Sequence, residues 1–167
     1  MMTYTSARLN LPLLQAGQAQ KEFTHNEALA AIEALVQPVA QTLGDDVPPA
    51  SPLAGQCWII GTAPSGVWAG QAGALAMWTD GGWRFTPAFD GMAVWVAAAD
   101  LWAHHRSGIW SLGAERAQSV VIGGVQVVGV QQSAIAPPSG GTLADTEARA
   151  AITAIILSLR AHGLIAT

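Results

Sequence analysis

From Cys57 to Leu112 short apolar segments alternate with turn signals built from glycine, proline and aspartate. That punctuation leaves room for short strands and little else. "QCWIIG" reads as a strand, and "APSGVWAGQAG" is turn-rich. "ALAMWTDGGWRFTP" sets Asp80-Gly81-Gly82 between two aromatic runs, a hairpin signal. "MAVWVAAADLWAHHRSGIWSL" reads as strand, turn, strand, with a helical turn or two over Ala97–His105 as the alternative. "SVVIGGVQVVGVQQSAI", residues 119–135, is the cleanest β-segment: two β-branched runs flank Gly123-Gly124, the composition of a tight hairpin. Its valines fall on both faces, which predicts that both faces are covered.

Tryptophan recurs at 58, 68, 78, 83, 95, 102 and 110. The spacing is too irregular for a repeat, but it gives roughly one ring per strand or turn of a small β-domain. Residues 57–85 hold four tryptophans and only two charged residues, Asp80 and Arg84. Either the rings fill space left by glycine- and alanine-rich strands, or some of them stack on a flat apolar surface such as a sugar face. Trp58, Trp78 and Trp95 lie inside apolar runs and read as core or interface. Trp68, Trp83 and Trp110 each adjoin a glycine, a turn or a polar neighbour and are the candidates for glycan stacking.

Helices are predicted at the two ends. Thr24-His25-Asn26-Glu27 fits a capping box, and Ala28, Leu29, Ile32, Leu35 and Val36 follow as a helical stripe that Pro38 should end. Before it, Leu9, Leu11, Leu13 and Leu14 around Pro12 read as an extended arm that docks on its own domain or on a neighbour. "LGDDVPPASPLAGQ", residues 43–56, and "APPSGG" read as linkers. Near the C-terminus, Thr142 to Asp145 offer N-caps, and Ala148, Ile152, Ile155, Leu159 and His162 follow a 4-3-4-3 seam. Isoleucine at both seam positions favours more than two strands in a coiled coil. Ile156 widens the stripe, so packing onto its own domain serves equally well. Gly163 suits the position after the helix, with Leu164 reaching back to Leu159. The expected fold is mainly β with flanking helices (α+β): an arm and helix over 1–42, a small antiparallel Trp-rich domain over 50–135, and a helix over 142–167.

Charge narrows the function. The 167 residues carry a formal charge of −4 and are 11% charged, with mean hydropathy +0.34, against about 25% charged residues in an ordinary domain. One lysine and six scattered arginines make no basic stripe, which argues against nucleic acid. No apolar run approaches the roughly 18 residues of a membrane span, and "MMTYTSARLN" lacks the layout of a secretory signal. Val47–Thr79 and Ala117–Ala144 contain no charge at all. Strands normally carry charge on their outer faces, so these stretches predict surfaces covered by sister subunits, with a low-charge monomer as the alternative. The single Cys57 fits a reducing compartment.

Chemistry is sparse. His104 and His105 with Asp100 form the one tempting group, but adjacent residues on a strand face opposite ways, so both histidines are expected to face solvent or an interface. Asp80 and Asp90 precede glycines as turn aspartates do, and Asp45-Asp46 lies in a linker. No nucleophile elbow, phosphate loop or dinucleotide fingerprint occurs. The expectation is a protein that is not an enzyme and has no catalytic residues, cofactor or metal.

Two strings carry a resemblance. "LNLPLLQAGQAQKEFTHNEALAAIEALVQ" (9–37), with "PPASPLAGQCWIIGTAPSGVWAGQAGALAMWTDGGWRFTPAFDGMAVWV" after it, resembles the DUF2793 family of tailed-phage and gene-transfer-agent structural proteins. "PPSGGTLADTEARAAITAIILSLRAHGLI" resembles the C-terminal segment of phage head-fibre proteins. The resemblance implies a virion component assembled in the bacterial cytoplasm: the base of a head spike or fibre, a homo-oligomer (trimer or pentamer) between capsid protein and spike fibre protein. Host capsular polysaccharide is the surface such a spike meets, and a carbohydrate-binding module is the alternative role. No catalytic residue carries over. In this reading Leu9, Leu11, Leu13, Leu14, Ile152, Ile155 and Leu159 form the assembly interface.

Overall fold

The computed structural model describes residues 5–14, 21–142 and 145–167. Residues 15–20 of the expected arm, and Leu143 and Ala144 among the expected caps, lie outside the described residues. The chain forms two compact units that divide between Ala114 and Glu115. Both contain strands, the larger sheet lies in the first unit, and each unit has one helix, so the α+β expectation holds.

In the first unit, helix α1 (Lys21–Leu35) leads into strand β1 (Val39–Asp45). The strands β2 (Cys57–Ile60), β3 (Leu75–Thr79), β4 (Gly82–Thr86), β5 (Ala93–Val96), β6 (Leu101–Arg106) and β7 (Ile109–Leu112) follow. They make one sheet in the order β4-β3-β2-β1-β5-β6-β7. Two antiparallel meanders, β2-β3-β4 and β5-β6-β7, flank β1, which runs parallel to both of its neighbours. The sheet is therefore mixed where a purely antiparallel one was expected. A parallel neighbour needs a long return connection, and the proline-rich linker after Asp45 is that return. Strand β1 itself went unread, because "VAQTLGD" has neither strict alternation nor β-branched enrichment. Conversely, the Ala97–His105 helical alternative gives way to a turn and β6, and residues 93–112 fold as three strands.

The sheet buries both faces of its first meander. On one face Ala40, Cys57, Ile59, Leu75, Met77, Val94, Val96 and Ala103 converge with Ala34 of α1. On the other, Trp58, Ile60 and Ala76 enclose Trp68, which a single 3₁₀ turn (Gly66–Trp68) delivers. The indole of Trp110 on β7 packs against the first cluster and donates to the Gly73 carbonyl at 2.8 Å, tying the last strand to the turn before β3. Each fully buried large side chain contributes about 1.5–3 kcal/mol.

The second unit contains strands β8 (Val120–Ile122) and β9 (Val125–Val128), paired antiparallel, and helix α2 (Thr146–Ala161). The hairpin expected at Gly123-Gly124 forms, and both glycines are left-handed (φ 57° and 81°), as a type I′ turn requires. The sequence groups this hairpin with the Trp-rich domain over 50–135, whereas in the structure it falls in the same compact unit as α2, Glu115–Thr167. The Asp145 carboxylate caps α2 by accepting from the Ala148 amide at 2.8 Å. At the other end Gly163 (φ 70°) donates to Arg160 and Leu164 donates to Leu159 at 3.0 Å. That is the 5→2 and 6→1 pair of a Schellman motif, as the sequence predicts.

Candidate functional site

The arm docks on its own unit. Glu33 is only 3% exposed, on the inward side of α1. Its Oε1 accepts from Ser6 Oγ at 2.7 Å, Arg8 N at 2.5 Å and Leu9 N at 2.8 Å. Burial pushes this carboxyl up, but the Leu9 and Arg8 amides, the Ser6 hydroxyl and the Arg8 charge outweigh it and hold the group below the ordinary glutamate range. The Arg8 guanidinium donates to the carbonyls of Glu33 and Gln37 at 2.7 Å, satisfying the C-terminal end of α1. Asn26 pairs with both backbone groups of Leu14 at 2.9 Å, as a neighbouring strand would. Leu9, Leu11, Leu13 and Leu14 are left half-buried against their own chain, so the arm, expected to dock either at home or on a neighbour, is held at home.

Helix α1 differs from its sequence reading in two ways. It starts at Lys21, so Thr24 is no cap, and Glu27 is not spent on a capping box. Instead Glu27 binds Arg84 of β4 through two bonds of 2.6 Å, and this pairing lowers its pKa. The apolar stripe also faces outward: Ile32 is 50% exposed and Val36 45%, while Ala34 and Glu33 are buried. The packed face is Glu22, Asn26, Ala30 and Glu33, at i, i+4, i+8 and i+11. Polar residues at three of those four positions hid that periodicity from a search for apolar stripes.

Between the arm, α1 and the β3–β4 hairpin lies a cavity of about 710 Å³. Among the described residues, Leu13, Leu14 and Trp78 supply apolar wall, and the guanidinium of Arg84 and the carboxylates of Glu22, Glu27, Glu33 and Asp80 supply charge. Sequence reasoning missed this grouping, since Asp80 reads as a turn residue and the arm's landing place cannot be read from spacing.

The tryptophans divide into two groups. Trp58, Trp68, Trp78 and Trp83 interlock, with Trp83 at 5.4, 5.2 and 5.1 Å from the other three, each contact edge-on. Trp68 is fully buried, so the expectation that it stacks on a sugar is corrected: neither face of its ring reaches the surface. Trp83 is half-buried at the centre of this group, and Trp110 is half-buried against the core with its indole N–H engaged. The accessible pair is one that the sequence did not single out for stacking. Trp95 and Trp102 sit opposite each other on β5 and β6, 5.4 Å apart, and Trp102 is 41% exposed. Val39 on β1 continues the row from Trp95.

His105 is buried, against the expectation of a solvent-facing or interfacial histidine. Its ring lies 5.1 Å from Trp110, and its Nδ1 is 3.4 Å from Asp90. Cys57 is fully buried, and loss of solvation pushes its thiol up to about 11, which keeps it from forming a nucleophile at neutral pH. Among the described residues no three His, Cys, Asp or Glu side chains gather to hold a metal ion, and no helix is long and apolar enough to cross a membrane.

The second unit presents apolar surface. Every residue of β8 and β9 is exposed, with Ile122 and Val125 at 65%. On α2, Ile156 is buried, while the seam residues Ile152 and Ile155 are 44% and 59% exposed and Leu159 is half-buried. The helix thus packs at home through the residue that widens the stripe, leaving most of the seam open.

A family model described as a protein of unknown function, DUF2793, matches residues 25–111, more than half of the chain and a span from α1 into β7. No curated protein matches it.

Proposed function

Taking as premise that the chain belongs to the DUF2793 family, we propose that it is a structural subunit of a phage-like particle, a homo-oligomer at the base of a head spike or fibre. The observation that carries this is the second unit's uncovered apolar surface. A lone two-stranded hairpin is marginal in water, and one made of valine and isoleucine exposed on both faces gains stability from a cover. The seam of Ile152, Ile155 and Leu159 offers sister copies a matching surface, of the composition that favours trimers or larger. The resemblance of the N-terminal string and the C-terminal segment to phage and gene-transfer-agent proteins supplies the setting. The partners are then capsid protein and spike fibre protein, in particles assembled in the bacterial cytoplasm. No catalytic chemistry is assigned in this role. Native mass spectrometry of the full chain tests the assembly: a trimer or pentamer is expected, shifting to monomer in Ile122→Glu/Ile155→Glu. A wild-type chain that stays single at micromolar concentration ends the proposal.

A second reading has its own support in the Trp95–Trp102 pair, whose exposed ring on β6, one strand in from the sheet edge, suits the apolar face of a sugar. In that reading the chain binds host capsular polysaccharide directly. Capsule pull-down by the full chain, lost in Trp102→Ala and kept in Trp83→Phe, is the expected pattern; equal retention by both variants removes the reading.

A further inference from the structure

The second unit, Glu115–Thr167, seals little of itself. Among its described residues the buried hydrophobics are Ile156 and Ile165, whereas a stable domain of about 60 residues buries roughly 60% of the surface its unfolded chain exposes. Hairpin β8–β9 is its most open part. The sheet has two strands, so each has an outer edge with no strand beside it among the described residues. With Gly123-Gly124 as a two-residue loop, Ile122 and Val125 bond to each other across the ladder. The next pair, Val121 and Gln126, therefore points its N–H and C=O groups outward along those edges. Native edge strands are normally protected by lysine, other charges or proline. Between Ser119 and Ile135 none of these occurs.

We propose that β8 of one copy pairs edge to edge with β9 of the next, so that the hairpins of the oligomer close into one intersubunit sheet. This deepens the assembly reading above and rests on it. Charge selects the occupant: a partner strand carrying charge would bury it unpaired against this edge, whereas a second copy brings an edge equally free of charge. Symmetry selects the pairing. Two β8 edges meeting about a two-fold axis stop at a dimer, while a trimer or pentamer needs a head-to-tail contact that closes on itself. Hairpins set around one rotation axis all point the same way along it. Strand β9 of one copy then runs antiparallel to β8 of the next, as the two strands already do within a hairpin. Closure removes every edge. One extra residue, Val127, bulges β9 opposite the step from Val120 to Val121, and a bulge adds the bend and twist that a closed sheet requires. The pleat decides which face turns inward. Val120, Ile122, Val125 and Val128 share one face and are all apolar, while Gln126 lies with Val121 on the other. The apolar face lines the interior and the Gln126 face meets water. At three and four residues the strands are too short for a bilayer, which takes about 9–11.

The test joins native mass spectrometry of the full chain to residue-resolved amide exchange at the same concentration. An oligomer is expected in which the outward amides of Val121 and Gln126 exchange at least about a hundredfold more slowly than in an unstructured chain, as slowly as the Val125 amide inside the hairpin. Val121→Pro deletes one outward N–H and leaves the bonds between β8 and β9 in place; it should shift the mass towards monomer. Val121→Ala keeps that N–H and should keep the oligomer. An oligomer whose Val121 and Gln126 amides exchange freely overturns the edge pairing and leaves assembly through the α2 seam standing. A chain that stays single overturns both. Edge pairing is also overturned if folded Val121→Pro assembles like the wild type; should that variant fail to fold, exchange at Val121 and Gln126 in the wild type decides alone.

Discussion

Glu33 shows how one side chain can fix a segment that secondary structure does not. A single carboxylate oxygen gathers the Ser6 hydroxyl and the amides of Arg8 and Leu9, so its removal leaves several polar groups unmatched beside α1. Glu33→Ala is expected to cost about 3 kcal/mol, read from urea unfolding, and to speed amide exchange at Leu9. Its pKa is depressed on folding, so its contribution is fully present above the ordinary glutamate value of 4.5 and is lost as the pH falls below that through the folded value. The arm's amides should lose protection in that acid window, and Glu33→Gln should remove the pH dependence there. The Glu27–Arg84 pair matters less despite its short bonds, because its side chains are 36% and 33% exposed and water screens them; about 0.5–1 kcal/mol is a fair expectation. Trp68 makes a contrasting case. It is fully buried, and its indole nitrogen has no acceptor among the described residues. Trp68→Ala should cost about 3–5 kcal/mol, and Trp68→Phe clearly less, since no indole hydrogen bond is lost. Equal destabilisation by the two in thermal melts would contradict that account.

At the scale of elements, legibility followed how local the determinant is. Both ends of α2 were readable, because Asp145 and the Gly163-Leu164 pair act within one turn of the helix. Asp145→Ala should therefore cost about 1 kcal/mol, seen as reduced helicity on heating. The β3–β4 and β8–β9 hairpins were readable for the same reason: their turns carry Asp80-Gly81-Gly82 and Gly123-Gly124. Strand β1 was not. It is held by parallel neighbours remote in sequence, through Ala40 paired with Cys57 on one side and Val96 on the other. Its identity depends on contacts that no short window of residues contains. Helix α1 was readable as a helix but not in its orientation, since its buried side is chosen by the arm and by Arg84 rather than by its own apolar stripe.

For the whole molecule, the consequence is a division of labour between two units. The first buries a core on one face of its sheet and a tryptophan cluster on the other; the second leaves most of its apolar residues uncovered within one chain. If sister copies supply the cover, the stability of the second unit depends on protein concentration by mass action. Hydrogen-exchange protection in β8, β9 and α2 should rise with concentration, while protection in β2 and β3 should not. Protection independent of concentration throughout would place the folding of the second unit within a single chain.

The amino-acid sequence by itself determined the class of the fold, the positions of most strands, the caps of α2 and the low charge, because each depends on residue type and near neighbours. Tertiary structure alone decided which tryptophans are sealed and which are open, which side of α1 turns inward, and that Glu22, Glu27, Glu33 and Asp80 share one cavity. Those outcomes follow from segments far apart in the chain being brought together, and the free energy that selects them lies in contacts between elements rather than within any one of them.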